Sequence, residues 1–351
     1  MPRKRKEVPL SQRIVPELVR TKARPPLAIV LGSPAEVVQC LHAFGGIDAT
    51  CYQMDVHQAE RLRTEMNVRQ SSAQVVTMAD LWDLPADFQT VLYLPPRRGE
   101  RELKIDMIEQ AFHILRPHGT LMVWSPYDTD PFFPALLKKI FGRVHAPNLG
   151  DDTVLWCQRE GDRPRRRHEI TFQARIADRP SCRFLSRPGV FSYGRFDNGA
   201  RALAEIMMIE PGDRILDIGC GCGTNGVFAA QQTGAEGHIT FVDSNVRAIA
   251  LAELNARENG VAAFQAVASS HVSGFDGDFD VVLANPPYYA GGSIAHLFIQ
   301  RGSALLEPDG RFYLVTKQAG DVADLMMETF DHVEAVMHRG YTILSNTETV
   351  D

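Results

Sequence analysis

The sequence predicts an α/β protein made of two tandem, doubly wound units, each an open parallel sheet covered by helices. Three observations carry that prediction. The stretch from Ile215 to Gly226 reads Ile-Leu-Asp-Ile-Gly-Cys-Gly-Cys-Gly-Thr-Asn-Gly: a short apolar run, three alternating glycines, then a helical pattern. Strand, glycine turn and helix in that order open a nucleotide-binding unit. Short apolar runs also alternate with helix-spaced segments along most of the chain, as in a sheet buried on both faces. Finally, the punctuation repeats. Pro95 and Pro96 recur as Pro286 and Pro287, and Pro117 and Gly119 as Pro308 and Gly310, all at an offset of 191 (286 − 95).

Residues 1–25 are polar, basic and proline-broken, and are expected to form a flexible arm. Its Arg3, Lys4, Arg5 and Lys6 suit phosphate contact or plain solvation. A first Rossmann-like unit is expected over 26–160. Its strands are Leu27–Leu31, Ala49–Met54, Gln74–Thr77, Thr90–Leu94 and Thr120–Trp124, with a helix over Ile105–Leu115. A charged linker and hairpin fill 161–185, where Arg163, Arg165, Arg166 and Arg167 form a cationic cluster. That cluster suits an RNA-facing segment or a solvated linker. The second unit, 186–351, adds strands at Ile239–Asp243, up to Ala268, at Phe279–Ala284 and at Arg311–Thr316. Helices are expected over Val246–Asn259, ended by Gly260, and over Ala295–Leu306.

Composition bounds the function. The 351 residues are 44% hydrophobic and 23% charged, enough for two cores. A net charge of −6 excludes a uniformly basic nucleic-acid wrapper, so any such contact is local. The six cysteines are scattered without a C-x-x-C pair, which points away from a zinc ribbon or disulfide framework and toward a reduced, cytoplasmic setting. No apolar run approaches the ~20 residues of a membrane span. No metal is expected, and a monomer is favoured.

The glycine spacing narrows the ligand. A dinucleotide turn places its third glycine one residue later, where Thr224 stands. Asp217 lies inside the turn region, where a carboxylate repels phosphate but can hold an ammonium group. Gly219, Gly221, Gly223 and Asp217 therefore suit the amino-acid end of S-adenosylmethionine (SAM), although an ordinary tight turn also reads this way. Asp243, 20 positions after Gly223 and followed by Ser244, is placed to accept from the ribose hydroxyls. Thr224 and Asn225 are candidate helix caps.

Asn285-Pro286-Pro287-Tyr288 ends the fourth strand, the edge at which open α/β sheets bind ligands. The Asn285 side-chain oxygen and the Pro286 carbonyl offer two acceptors for an NH₂ group on a planar system. The prolines stiffen the loop, and Tyr288 is placed to stack on the target ring. Catalysis then rests on positioning and electrostatics. In the first half Leu94 stands at the position of Asn285, Arg97 at that of Tyr288, and Gly32 alone replaces three glycines, so that copy is expected to be inert. Asp55 is matched there to Asp243 at an offset of 188 (243 − 55).

These motifs resemble class I SAM-dependent methyltransferases that act on amino groups. Arg187-Pro188-Gly189-Val190-Phe191-Ser192, then Phe196-Asp197-Asn198-Gly199, resembles the segment before the glycine turn in bacterial ribosomal-RNA guanine-N2 methyltransferases. Asn259-Gly260, Asn285-Pro286-Pro287-Tyr288 and the tandem layout with a degenerate N-terminal copy are similar too. The resemblance covers the whole chain, by motif over 187–316 and by architecture before 160. It implies two methyltransferase-like domains, SAM as cofactor and ribosomal RNA as partner. It places Ser269 and Ser270 on the adenine side, where many relatives carry Asp. Tyr288 and Tyr289 are expected on the RNA side, with Tyr289 where the family usually has His; the Arg163, Arg165, Arg166 and Arg167 cluster joins them as a candidate RNA contact on its charge alone. Adenine N6, a protein glutamine, or SAM binding without turnover remain alternatives.

Overall fold

Leu27, Ala28, Ile29 and Val30 are almost wholly buried, and so are Ile215, Leu216 and Ile218. Such runs have only one home, the centre of a sheet covered on both faces. The computed structural model describes residues 14–347 apart from 46, 69–71, 98, 128–129, 148, 150–152, 276 and 288–291. The chain divides between His168 and Glu169 into two units.

The first unit runs α1 (Glu17–Lys22), β1 (Leu27–Leu31), α2 (Pro34–Ala43), β2 (Ala49–Gln53), α3 (Val56–Val68), β3 (Gln74–Thr77), β4 (Phe88–Leu94), α4 (Arg101–Ile114), β5 (Leu115–Ser125), α5 (Phe132–Phe141) and β6 (Thr153–Gln158). Its sheet has the order β3-β2-β1-β4-β5-β6. Only β6 is antiparallel to its neighbour. Alternate residues of β1 feed two cores: Ala28 and Val30 face one, Leu27 and Ile29 the other. The expected flexible arm is corrected in part. Val15, Val19 and Ala23 are buried in that second core, and α1 packs rather than floats. Residues 1–13, with the basic cluster at 3–6, lie outside the described residues.

The second unit opens with an antiparallel pair, β7 (Ile170–Ala174) and β8 (Cys182–Ser186). It continues α6 (Asn198–Ile206), β9 (Arg214–Ile218), α7 (Thr224–Thr233), β10 (His238–Asp243), α8 (Val246–Glu258), β11 (Phe264–Ala268), β12 (Phe279–Ala284), α9 (Ser293–Ser303), β13 (Leu306–Thr316), α10 (Ala319–Met327), β14 (Glu334–His338) and β15 (Tyr341–Ser345). The sheet order is β11-β10-β9-β12-β13-β15-β14, parallel up to β13 and antiparallel beyond it. Both units are doubly wound α/β folds, and the order of the first is that of the second without β14.

Strand register corrects one pairing. Ile29 lies opposite Cys51 in the first sheet, and Asp217 opposite Phe241 in the second. Met78 N–H donates to the Gln53 carbonyl, as Ser269 N–H donates to the Asp243 carbonyl. Gln53, at an offset of 190 (243 − 53), is therefore the counterpart of Asp243. Asp55 instead caps the start of α3, accepting from Gln58 N–H at 3.0 Å. The helix cap of α7 also differs from expectation. Gly223 takes that position in a left-handed conformation (φ 82°), and Thr224 and Asn225 fall inside the helix.

Candidate active site

The turn after β9 is shaped by three glycines at positive φ: 69° at Gly219, 56° at Gly221 and 82° at Gly223. A side chain at any of them is strained. Gly226 serves a different need. A Cβ there would lie 2.3 Å from the Phe241 ring, so the missing side chain lets α7 sit directly on β10. Asp217 is 3% exposed, and its Oδ2 accepts the Gly226 N–H at 2.9 Å. Burial pushes its carboxyl up to about 7; the Gly226 N–H opposes this and the nearby Asp243 adds to it.

Asp243 at the end of β10 ties two loops together. Its Oδ2 accepts from Gly221 N–H at 3.0 Å and its Oδ1 from Asn245 N–H at 2.8 Å. Asn245 in turn caps α8 through Arg247 N–H and donates to the Gly189 carbonyl at 2.7 Å. Arg247, wholly buried, donates to the Pro188 carbonyl at 2.6 Å. Val190 packs against Cys222, Ala248 and Leu251. Residues 187–190 are thus fastened to the β10–α8 corner, which fixes the segment that follows them.

That segment forms one side of a cavity. Phe191, Ser192, Arg195 and Asp197 line it with the turn residues Asp217, Gly219 and Gly221, the helix start Thr224 and Asn225, and Asn285. The structure therefore brings together Asp217, two of the three expected glycines and Asn285. Gly223, Asp243, Ser244, Ser269 and Ser270 stand outside this lining. The Ser269 hydroxyl accepts from Ser273 N–H at 3.0 Å, within its own loop. Pro286 is buried and Pro287 half-buried beside Asn285. Tyr288 and Tyr289 lie outside the described residues. Asp197, Arg195, Phe191 and Asn225 are among the lining residues that sequence reasoning did not assign to the site. Phe191 and Asp197 stood in the segment that carried the resemblance, but nothing in their spacing said that they would reach the turn. The Asn225 Oδ1 is buried with no hydrogen-bond partner among the described residues.

Residues 181–345 match the model of the methyltransferase small domain. An uncharacterized protein of Bacillus subtilis, YbxB, is 32% identical over 46% of this chain and 83% of its own length. The chain belongs to the methyltransferase small-domain family. Ribosomal RNA small subunit methyltransferase C of Pseudoalteromonas atlantica is 27% identical to this methyltransferase over 73% of the chain and 76% of the relative. The Chromohalobacter salexigens protein of the same name is 35% identical, over 37% of this chain and 40% of its own. Among solved structures, the T. thermophilus 16S rRNA N2 G1207 methyltransferase (RsmC), in complex with AdoMet and guanosine, superposes with a TM-score of 0.74. It is 20% identical, over 94% of this chain and 90% of that one, a likeness of fold.

The first unit of this methyltransferase treats the same positions differently. A Cβ on Gly32 would meet Leu94 Cδ1 at 2.7 Å, so the Leu94 side chain lies over the turn. Gln53 Nε2 donates to the Gly32 carbonyl at 3.1 Å. The protein's own Leu94 and Gln53 side chains thus lie against this turn.

The arginine cluster packs on the first unit. Arg163 donates to the carbonyls of Lys139 and Ile140 at the end of α5. Arg165 and Arg167 lie 5.6 and 5.9 Å from the Trp82 ring centre, and His168 bonds Glu109 at 2.8 Å. Burial, and then Arg165, Arg159 and Arg163, hold His113 below the usual histidine range. Arg163, Arg165, Arg166 and Arg167 are all exposed.

Proposed function

We propose that this chain transfers a methyl group from SAM to the exocyclic N2 amine of a guanine in ribosomal RNA. The observation that carries the reading is the presence of Asn285, at the C-terminal end of β12, in one cavity with the glycine turn and Asp217. The residues present fit SAM. A buried carboxylate with a raised pKa is a site for a cationic amino group, and the orphaned Asn225 Oδ1 is a buried acceptor in want of a donor. Relatives named ribosomal RNA small subunit methyltransferase C, and the fold of a guanine-N2 methyltransferase, support the substrate.

When bound, SAM supplies a methyl group on a sulfonium centre. The guanine amine is a poor nucleophile because its lone pair is delocalised into the ring. Asn285 Oδ1 and the Pro286 carbonyl accept its two hydrogens, orienting the amine and favouring a pyramidal nitrogen. Bound in this cavity, SAM would supply the methyl to the nitrogen so oriented and leave as the neutral thioether, and the proton displaced from the amine would pass to water. Pro286 and Pro287 lack N–H groups and so add no backbone donor to this edge. Tyr288 and Tyr289 are assigned to the base, and Arg163, Arg165, Arg166 and Arg167 to RNA phosphates. Asp243 and Ser244 are assigned to the ribose, and Ser269 and Ser270 to the adenine side.

The first domain is proposed to be catalytically inert, with an RNA-binding or scaffolding role. A cytoplasmic monomer completes the reading. Among the described residues no helix is long and apolar enough to cross a membrane, and no group of three candidate ligands for a metal is found. The test is incubation with methyl-labelled SAM and either ribosomal subunits or naked ribosomal RNA, followed by mapping. Label on guanine N2 is expected; label in protein or on adenine overturns the substrate.

A further inference from the structure

An amide side chain has two nearly equal faces, one oxygen and one NH₂, and only its neighbours decide which face points where. The proposed chemistry needs the Asn285 oxygen on the substrate side. A flipped amide would present N–H groups to an amine that is itself a donor.

The structure supplies a neighbour that discriminates. Asp197 precedes α6 in an extended conformation, and its Oδ1 accepts the Gly199 and Ala200 N–H groups at 2.9 and 3.0 Å. The same oxygen accepts from Asn285 Nδ2 at 3.4 Å, across 88 residues of sequence. A carboxylate offers acceptors only, so the amide must turn its NH₂ toward Asp197. Its oxygen is then directed to the opposite side. The two helix N–H groups hold the carboxylate still, and Asp197 lines the same cavity as Asn285.

We infer that Asp197 is a positioning residue, which fixes the orientation of the Asn285 amide so that its oxygen receives the target amine. The inference rests on the reading of Asn285 given above. Asp197 touches neither the reacting nitrogen nor the methyl; it acts through Asn285.

Asp197→Ser separates this role from helix capping. Serine caps a helix well, but its hydroxyl is too short to reach Asn285. The expected result is a turnover number about 10- to 100-fold lower, the scale of a lost charge-assisted hydrogen bond, with the SAM Kd and thermal midpoint close to wild type. Asp197→Asn keeps an oxygen in place of Oδ1 and is expected to restore at least about a third of turnover. In an Asn285→Ala background, Asp197→Ser is expected to slow the residual rate no further. Equal slowing in both backgrounds, as a general loss of folded protein would give, overturns the proposal. So does wild-type turnover by Asp197→Ser. Wild-type turnover by Asn285→Ala alone instead overturns the assignment of Asn285, a result obtained without touching Asp197.

Discussion

At the scale of single residues, the site divides binding from transfer. Asn285→Ala is expected to lower turnover by about 10²–10³-fold, as for a lost transition-state hydrogen bond, while SAM binding by calorimetry stays near normal. Equal loss of both would make Asn285 structural. Asp217 makes a prediction with a definite sign. Its folded pKa, about 7, lies above the ordinary aspartate value of ~3.9. The stability that its proton contributes is complete below about pH 4 and is lost as pH rises to about 7. Asp217→Asn is expected to flatten that part of the stability curve, measured by denaturant melts. A bound ammonium favours the charged carboxylate, so SAM affinity is expected to rise from pH 6 to pH 8. A flat profile would mean that Asp217 does not face the ligand's cation.

At the scale of elements, close approach decides what is tolerated. Gly226→Ala drives a methyl into the Phe241 ring, where the present Cβ position lies only 2.3 Å away. We expect a loss of roughly 1–3 kcal/mol, the usual range for overpacking, read as a lower denaturant midpoint with an unchanged slope. The central strands were the plainest to read from sequence, although the edge strands β3 and β11 were read as well. β1, β9, β10 and β12 are buried on both faces, so their apolar runs announce them. The elements left unassigned include the buried β15, between β13 and β14, as well as peripheral ones. β14 alternates between half-buried and exposed positions at the sheet edge, and α3 is polar apart from a narrow stripe. The Asp55 pairing slipped by two residues because the loops before each strand differ in length, so no single offset holds across the repeat. Asp217 and Asn285 were legible because both lie at the C-terminal ends of parallel strands, Asp217 one residue inside β9 and Asn285 just past β12. Asp197 and Phe191 were not, since their place in the site depends on a loop held by Arg247, which is far away in sequence.

At the scale of the molecule, the two units are expected to share the work unequally. Leu94 lies over Gly32 and the Gln53 amide occupies the Gly32 carbonyl in the first unit's turn. One SAM per chain is expected by calorimetry, and Leu94→Ala is expected to leave turnover largely intact; two sites would contradict the proposed division. Replacing Arg165, Arg166 and Arg167 together by alanine is expected to weaken RNA binding and to reduce the slope of log affinity against log salt by about two to three, at ~0.9 or less for each phosphate no longer neutralised. An unchanged slope would place the RNA elsewhere.

The fastening of residues 187–190 from behind, by the buried Arg247 and by Asn245, has a kinetic corollary. A wall anchored outside the space it encloses keeps its shape when that space empties. Successive reaction cycles then require no refolding of this stretch, and the ordering cost is met once, when the chain first folds. Amide hydrogens of the anchored backbone should exchange slowly with or without nucleoside present.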